Sequence, residues 1–124
     1  MEQANKRVLV VDDEENARVA LSKILAHDGY DVSSARNGLE ALNYLRCKDV
    51  ELIITDLNMP EMNGLMFLRE LNRIRPASKV IMVTAYGEVE SYLEAMTLGA
   101  FEYINKPVKY DELKKIINKI FNGV

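Results

Sequence analysis

Leu52-Ile53-Ile54-Thr55 is a run of β-branched and aliphatic side chains without a polar residue at alternate positions. A strand with one wet face alternates, whereas a run apolar at every position belongs to a strand covered on both faces. Working outward, the same pattern appears at Val8-Leu9-Val10-Val11 and Val80-Ile81-Met82-Val83. It is less pure at Phe101-Glu102-Tyr103-Ile104 and weak around Asp31-Val32-Ser33, which follows the turn residue Gly29. Between these runs the apolar spacing becomes helical. Ala17, Leu21, Ile24 and Leu25 form one stripe, and Leu65, Leu68 and Leu71 another. Leu113, Ile116, Ile117, Ile120 and Phe121 give the pattern of a helix lying on a sheet. Ala41–Leu45 and Val89–Met96 supply two shorter helical segments. Asn37 and Asn63 are placed to start helices, Gly99 to end one, and Pro76 to turn the chain after another.

Five strands alternating with five helices predict an α/β fold of (βα)5 type. Parallel strands need crossover helices, and right-handed crossovers cover both faces of the sheet. The expected architecture is a doubly wound three-layer sandwich with a five-stranded parallel sheet of order 2-1-3-4-5, as in flavodoxin-like and CheY-like folds. The whole chain, 1–124, is expected to form one domain with its core at about 7–121 and no separate output domain.

Composition narrows the function. With 48% hydrophobic and 28% charged residues, the chain reads as an ordinary globular protein. Its 16 basic and 19 acidic side chains give a net charge of −3, no footprint for nucleic acid or an anionic membrane. No apolar run approaches the roughly 18 residues that span a bilayer. A lone cysteine, Cys47, forms no internal disulfide and fits a reducing compartment, so a cytoplasmic location is expected. Several other residues have bland explanations. His27 suits the carboxyl end of the first helix, Cys47 fills a surface or half-buried position, and Lys109, Lys114, Lys115 and Lys119 make a solvated basic face.

In doubly wound folds, ligands bind outside the carboxyl ends of the strands. Just past the first strand come Asp12 and Asp13; Asp56 follows the third, Thr84 the fourth and Lys106 the fifth. Polar residues commonly end strands because loops are solvated. Agreement at five positions on one rim is harder to explain that way. Three crowded carboxylates raise one another's pKa unless a cation sits among them, and a hard divalent ion such as Mg²⁺ takes oxygen ligands while keeping several waters. Lys106 adds a fixed positive charge and Thr84 a hydroxyl. Such a set suits phosphoryl transfer to a carboxylate, where catalysis is mainly positioning and charge stabilisation. Asp56, between the acidic pair and the Thr/Lys side, is the natural nucleophile.

The sequence resembles the receiver domain of bacterial two-component response regulators over Val8 to Ile120. The resemblance rests on Val10-Val11-Asp12-Asp13-Glu14, Asp56-Leu57-Asn58-Met59-Pro60, Asn63-Gly64, Thr84-Ala85 and Lys106-Pro107, in this order. Asn63 stands where the family often has Asp. The resemblance implies Asp56 as phosphoacceptor, with Asp13, Asp56 and the backbone carbonyl of Asn58 as direct Mg²⁺ ligands and Asp12 acting through water. It implies that Thr84 and Lys106 bind phosphoryl oxygens, that Thr84 and Tyr103 form the switch, and that Asn58 and Tyr86 tune hydrolysis. It also implies a cis bond before Pro107.

Implied partners are a sensor histidine kinase or phosphotransfer protein and an output domain or downstream protein, with a phosphorylation-dependent homodimer as a further expectation. Such a domain catalyses its own phosphorylation and dephosphorylation rather than turning over an external substrate. Thr84-Ala85-Tyr86-Gly87 and Tyr103-Ile104-Asn105-Lys106-Pro107 look most like receivers attached to σ54-dependent transcription activators. Two other chemistries fit less well. Phosphatases with an Asp-x-Asp motif place an acid two residues past the nucleophile, where this chain has Asn58. An FMN carrier needs a hydroxyl-rich phosphate loop where Asp12-Asp13-Glu14-Glu15 stand.

Overall fold

A computed structural model describes residues 6–59, 61–85 and 89–123. Strands β1 (Arg7–Val11), β2 (Asp31–Ala35), β3 (Leu52–Asp56), β4 (Lys79–Thr84) and β5 (Glu102–Asn105) alternate with helices. These are α1 (Glu15–His27), α2 (Gly38–Cys47), α3 (Gly64–Ile74), α4 (Val89–Thr97) and α5 (Tyr110–Asn122). The strands pair in parallel in the order β2-β1-β3-β4-β5, as the sequence predicts.

The unbroken apolar runs are explained by two cores on opposite faces of the sheet. Successive strand residues point to opposite faces. Leu9, Val11, Ile53 and Met82 join a cluster with Ala41 and Leu45 of α2, Phe67, Leu68 and Leu71 of α3, and Ala95 of α4. Val8, Val10, Ile54, Ile81 and Val83 join a second cluster with Leu25 of α1 and Leu113 and Ile117 of α5. Central β3 is buried at all five positions, whereas β5 at the edge is only half-buried, with Asn105 exposed. That difference accounts for the clear signal of the one and the impure signal of the other.

The helix ends carry their expected caps. Asn37 Oδ1 accepts from the Glu40 N–H at 2.8 Å and Asn63 Oδ1 from the Met66 N–H at 2.9 Å. At the start of α1, the Glu14 carboxylate accepts from the Ala17 N–H at 2.7 Å. Each bond satisfies a backbone donor that the first turn leaves unpaired. Helix α4 ends at Gly99, whose φ of 99° is the left-handed conformation glycine adopts without strain. The Gly99 N–H donates to the Met96 carbonyl at 3.1 Å and the Ala100 N–H to that of Ala95 at 3.0 Å, the paired bonds of a Schellman ending.

Two strand boundaries differ from the sequence reading. Asp56 and Thr84 are the last residues of β3 and β4 rather than the first residues after them. Continued pairing explains it: Asp56 lies opposite Val83, and Thr84 opposite Asn105. Both backbones are therefore fixed by the sheet instead of by loops. His27 and Cys47 close α1 and α2 and are exposed, and Lys114 is paired with Asp28 at 3.7 Å. No helix among the described residues is long and apolar enough to cross a membrane.

Candidate metal centre

The first strand delivers Asp12 to the rim and the following turn fixes it there. Its N–H donates to the Ala35 carbonyl at 3.1 Å, which extends the β1–β2 pairing by one residue. One carboxylate oxygen accepts from the Glu14 N–H at 2.9 Å, bending the chain into α1. The Arg18 guanidinium donates to the Asp12 carbonyl at 2.9 Å from the first part of that helix. Asp12 is thus buried, and Asp13 is left exposed at the lip of the pocket.

Central β3 supplies Asp56, which is also buried. The Leu57 N–H donates to the Val83 carbonyl at 2.9 Å, and the Asn58 N–H donates back to Asp56 Oδ1 at 3.3 Å. One oxygen each from Asp12, Asp13 and Asp56 lies within 4.8 Å of the others. Lys106 Nζ is 3.1 Å from Asp12 Oδ2 and 3.6 Å from Asp56 Oδ2. The ammonium therefore reaches past Asp56 to Asp12, instead of staying on the Thr84 side of the site. The Lys106–Pro107 peptide is cis, as expected.

Thr84 is fully buried, and its hydroxyl oxygen accepts from Asn58 Nδ2 at 3.0 Å. Tyr103 sits farther out on β5. Read as a plain strand aromatic, it would hold its hydroxyl in water; instead the hydroxyl is 2.8 Å from that of Ser91 on α4. The Tyr103 ring meets Tyr92 edge-on, with centroids 5.5 Å apart. Tyr86 lies outside the described residues. The sequence reading missed the Arg18–Asp12 and Asn58–Thr84 bonds. For Arg18 the one signal is its place a single turn into α1, beside the stripe of Ala17 and Leu21.

The electrostatics favour an added cation. Three carboxylates face one ammonium, so the cluster carries excess negative charge. Burial pushes the Asp56 carboxyl above the usual carboxylate range; Lys106 opposes this, and the charges of Asp12 and Asp13 add to it. Burial works to lower the Lys106 pKa but is outweighed by the Asp12 hydrogen bond and the Asp56 charge, so the ammonium is held above its usual value. The oxygen-only donor set, with Asp13 open to water, fits a hard divalent ion that retains part of its hydration shell.

A stability prediction follows from the raised Asp56 pKa. The folded chain keeps this proton to higher pH than the unfolded chain does. Stability contributed by the neutral acid is therefore full below the unfolded value, is lost as pH rises through the folded one, and becomes a standing cost above it. Metal-free Asp56→Asn should be more stable than the parent at pH 7, with the advantage shrinking toward about pH 4 and below. Urea unfolding midpoints across that range test it. An advantage that grows on acidification would contradict it.

A family model for the response regulator receiver domain matches residues 8–118. Regulatory protein AtoC of Escherichia coli (strain K12) is 40% identical over 116 residues, covering 94% of this chain and 25% of that protein. The chain accordingly spans about a quarter of the length of several curated relatives it matches. Sporulation initiation phosphotransferase F of Bacillus subtilis (strain 168) is 33% identical over 115 residues, covering 93% of each chain. Among solved structures, the response regulator protein TrrA from Thermotoga maritima in complex with Mg(2+)-BeF has a TM-score of 0.84 and 38% identity, covering 94% of this chain and 99% of that one.

Proposed function

Since the chain belongs to the response regulator receiver domain family, we propose that Asp56 accepts a phosphoryl group from the phosphohistidine of a sensor kinase or phosphotransfer protein. The observation that carries this reading is the convergence of Asp12, Asp13, Asp56 and Lys106 from three separate strand ends on one pocket. Asp13, Asp56 and the Asn58 carbonyl would hold Mg²⁺ directly, with Asp12 behind a water. When bound, the ion neutralises charge on the transferring phosphoryl oxygens.

The rest is the work of the chain itself. An Asp56 carboxylate oxygen attacks phosphorus, the new O–P bond forms, and the P–N bond breaks with its electron pair returning to the donor imidazole. Lys106, already 3.6 Å from Asp56 Oδ2, is placed to pair with a phosphoryl oxygen. The Thr84 hydroxyl, at the end of β4, serves a second oxygen. Hydrolysis by water later returns the carboxylate, and Asn58 and Tyr86 set its rate.

Thr84 also begins the signal path. Its shift toward the phosphoryl group would be read by Tyr103, whose hydroxyl is tied to Ser91 on α4. A nearly complete switch needs roughly 5.5 kcal/mol of differential interaction. One charge-assisted hydrogen bond gives about 1.5–3 kcal/mol, so Lys106 must contribute as well. The changed surface would act on an attached output domain or a downstream protein, through a phosphorylation-dependent homodimer, in transcription control of the σ54-dependent kind and in the cytoplasm. Similarity to curated relatives named as transcriptional regulatory proteins supports transcription control as the output.

The test is covalent labelling by acetyl phosphate, followed by intact-mass spectrometry. Labelling should require Mg²⁺ and stop with EDTA. Asp13→Ala should weaken Mg²⁺ binding more than Asp12→Ala, because Asp13 is a direct ligand and Asp12 is not. Labelling undiminished by EDTA, or Mg²⁺ affinity unchanged in Asp13→Ala, would overturn the ligand set.

A further inference from the structure

Thr84 is fixed along its backbone by the sheet, and its hydroxyl is held separately. Its main chain pairs with Asn105 of β5, and the Lys106 N–H donates to its carbonyl at 2.7 Å. Sheet pairing says nothing about where the hydroxyl hydrogen points. A hydroxyl has one hydrogen and two lone pairs, and the hydrogen rotates to suit its neighbours. Here Asn58 Nδ2 donates to the Thr84 oxygen at 3.0 Å, and Thr84 is wholly buried. An oxygen that receives a hydrogen bond on one side donates more strongly on another. Asn58 is itself tethered to the acceptor residue, since its N–H donates to Asp56 Oδ1 at 3.3 Å. One residue therefore joins the acceptor carboxylate to the buried hydroxyl.

We propose that the Asn58 carboxamide is a positioning residue, which orients and polarises the Thr84 hydroxyl for the phosphoryl group on Asp56. The inference rests on Asp56 being the acceptor, and it differs from a role for Asn58 in handling the hydrolytic water directly. If Asn58 acts through Thr84, its removal has no consequence once the hydroxyl is gone. If it acts on water or on the phosphoryl group, its effect is independent of Thr84.

A double-mutant cycle separates the two, read as affinity for beryllofluoride at saturating Mg²⁺ in the parent, Asn58→Ala, Thr84→Val and the double variant. Asn58→Ala keeps the backbone carbonyl and N–H. It should weaken beryllofluoride binding about three- to tenfold, the worth of one neutral hydrogen bond. Thr84→Val should weaken it at least as much, and the double variant no further than Thr84→Val alone. The side-chain amide resonance of Asn58 should also move when Thr84 becomes valine, which reports the hydrogen bond itself, while the coupling in beryllofluoride affinity separates positioning from a purely structural role. Equal losses from Asn58→Ala in both backgrounds, or an unmoved amide resonance, would overturn the inference while leaving Asp56 as acceptor. A parent that does not bind beryllofluoride, or an Asp56→Asn variant that binds it equally well, would remove the acceptor reading and the inference together.

Discussion

Asp56→Asn should lose covalent labelling by acetyl phosphate completely, with Mg²⁺ present and the fold intact. An acyl phosphate requires a carboxylate oxygen as nucleophile, and the amide that replaces it has no comparable electron pair to offer. Asp12 and Asp13 cannot simply substitute. Asp12 is held by the Glu14 N–H on one oxygen and by Lys106 on the other, and Asp13 lies at the exposed lip. The raised Asp56 pKa leads one to expect a folded variant, and the urea midpoint of Asp56→Asn checks that the loss is not due to unfolding. Intact mass before and after incubation measures the result. Label that persists at parental level, or maps to Asp12 or Asp13, would move the acceptor elsewhere.

The second large effect concerns a glycine that touches no ligand. Gly64 opens α3, and its N–H donates to the Leu57 carbonyl at 2.7 Å. A Cβ built there would lie 2.8 Å from the Asp56 carbonyl oxygen, 2.8 Å from Leu57 Cα and 3.0 Å from Met82 Sδ. The first two are backbone atoms of Asp56 and Leu57, which central pairing prevents from retreating. Gly64→Ala should therefore destabilise the fold by about 1–3 kcal/mol, the usual cost of overpacking, and displace Asp56 enough to weaken Mg²⁺ binding. Gly38 is the matched control. It opens α2, but its Cβ would meet the Met62 side chain, whose sulfur at 3.0 Å is free to swing aside. Gly38→Ala should be nearly neutral. Denaturant unfolding of the two variants, with Mg²⁺ titration, tests the contrast. Equal stability would show that the acceptor backbone yields more readily than its pairing implies.

These two glycines mark the limit of what the chain discloses before it folds. Strands β1, β3 and β4 were legible because both of their faces are buried, which leaves continuous apolar runs. Strands β2 and β5 lie at the sheet edges, where exposed Asp31, Ser34 and Asn105 break the pattern. Asn37, Asn63 and Gly99 were readable because capping is local chemistry within a few residues. Asp12, Asp13, Asp56 and Lys106 were readable because a doubly wound fold brings strand ends to one rim. What escaped were relations between side chains far apart in sequence. Nothing near Asn58 announces that its amide will meet Thr84, and nothing near Gly64 announces the backbone it will press against. The reach of Lys106 across to Asp12 depends likewise on sheet twist and side-chain length, not on a motif.

Helix α4 gives the molecule an uneven cooperativity. Ala95 is the residue it buries fully, while Val89, Tyr92 and Leu93 are 75%, 42% and 57% exposed. Strand β3 can open only by dissolving both apolar clusters, which amounts to global unfolding. Helix α4 can open by withdrawing Ala95 and the half-buried Met96 and by parting its contacts with Tyr103 and Arg69. Subglobal opening of such a unit costs far less than unfolding the whole domain. The central strands are thus held by both clusters, and α4 beside them is the more separable element. Under the role proposed for Asp56, a signal passing toward Thr84 and Tyr103 would reach this thinly buried helix, where small energies can move much structure.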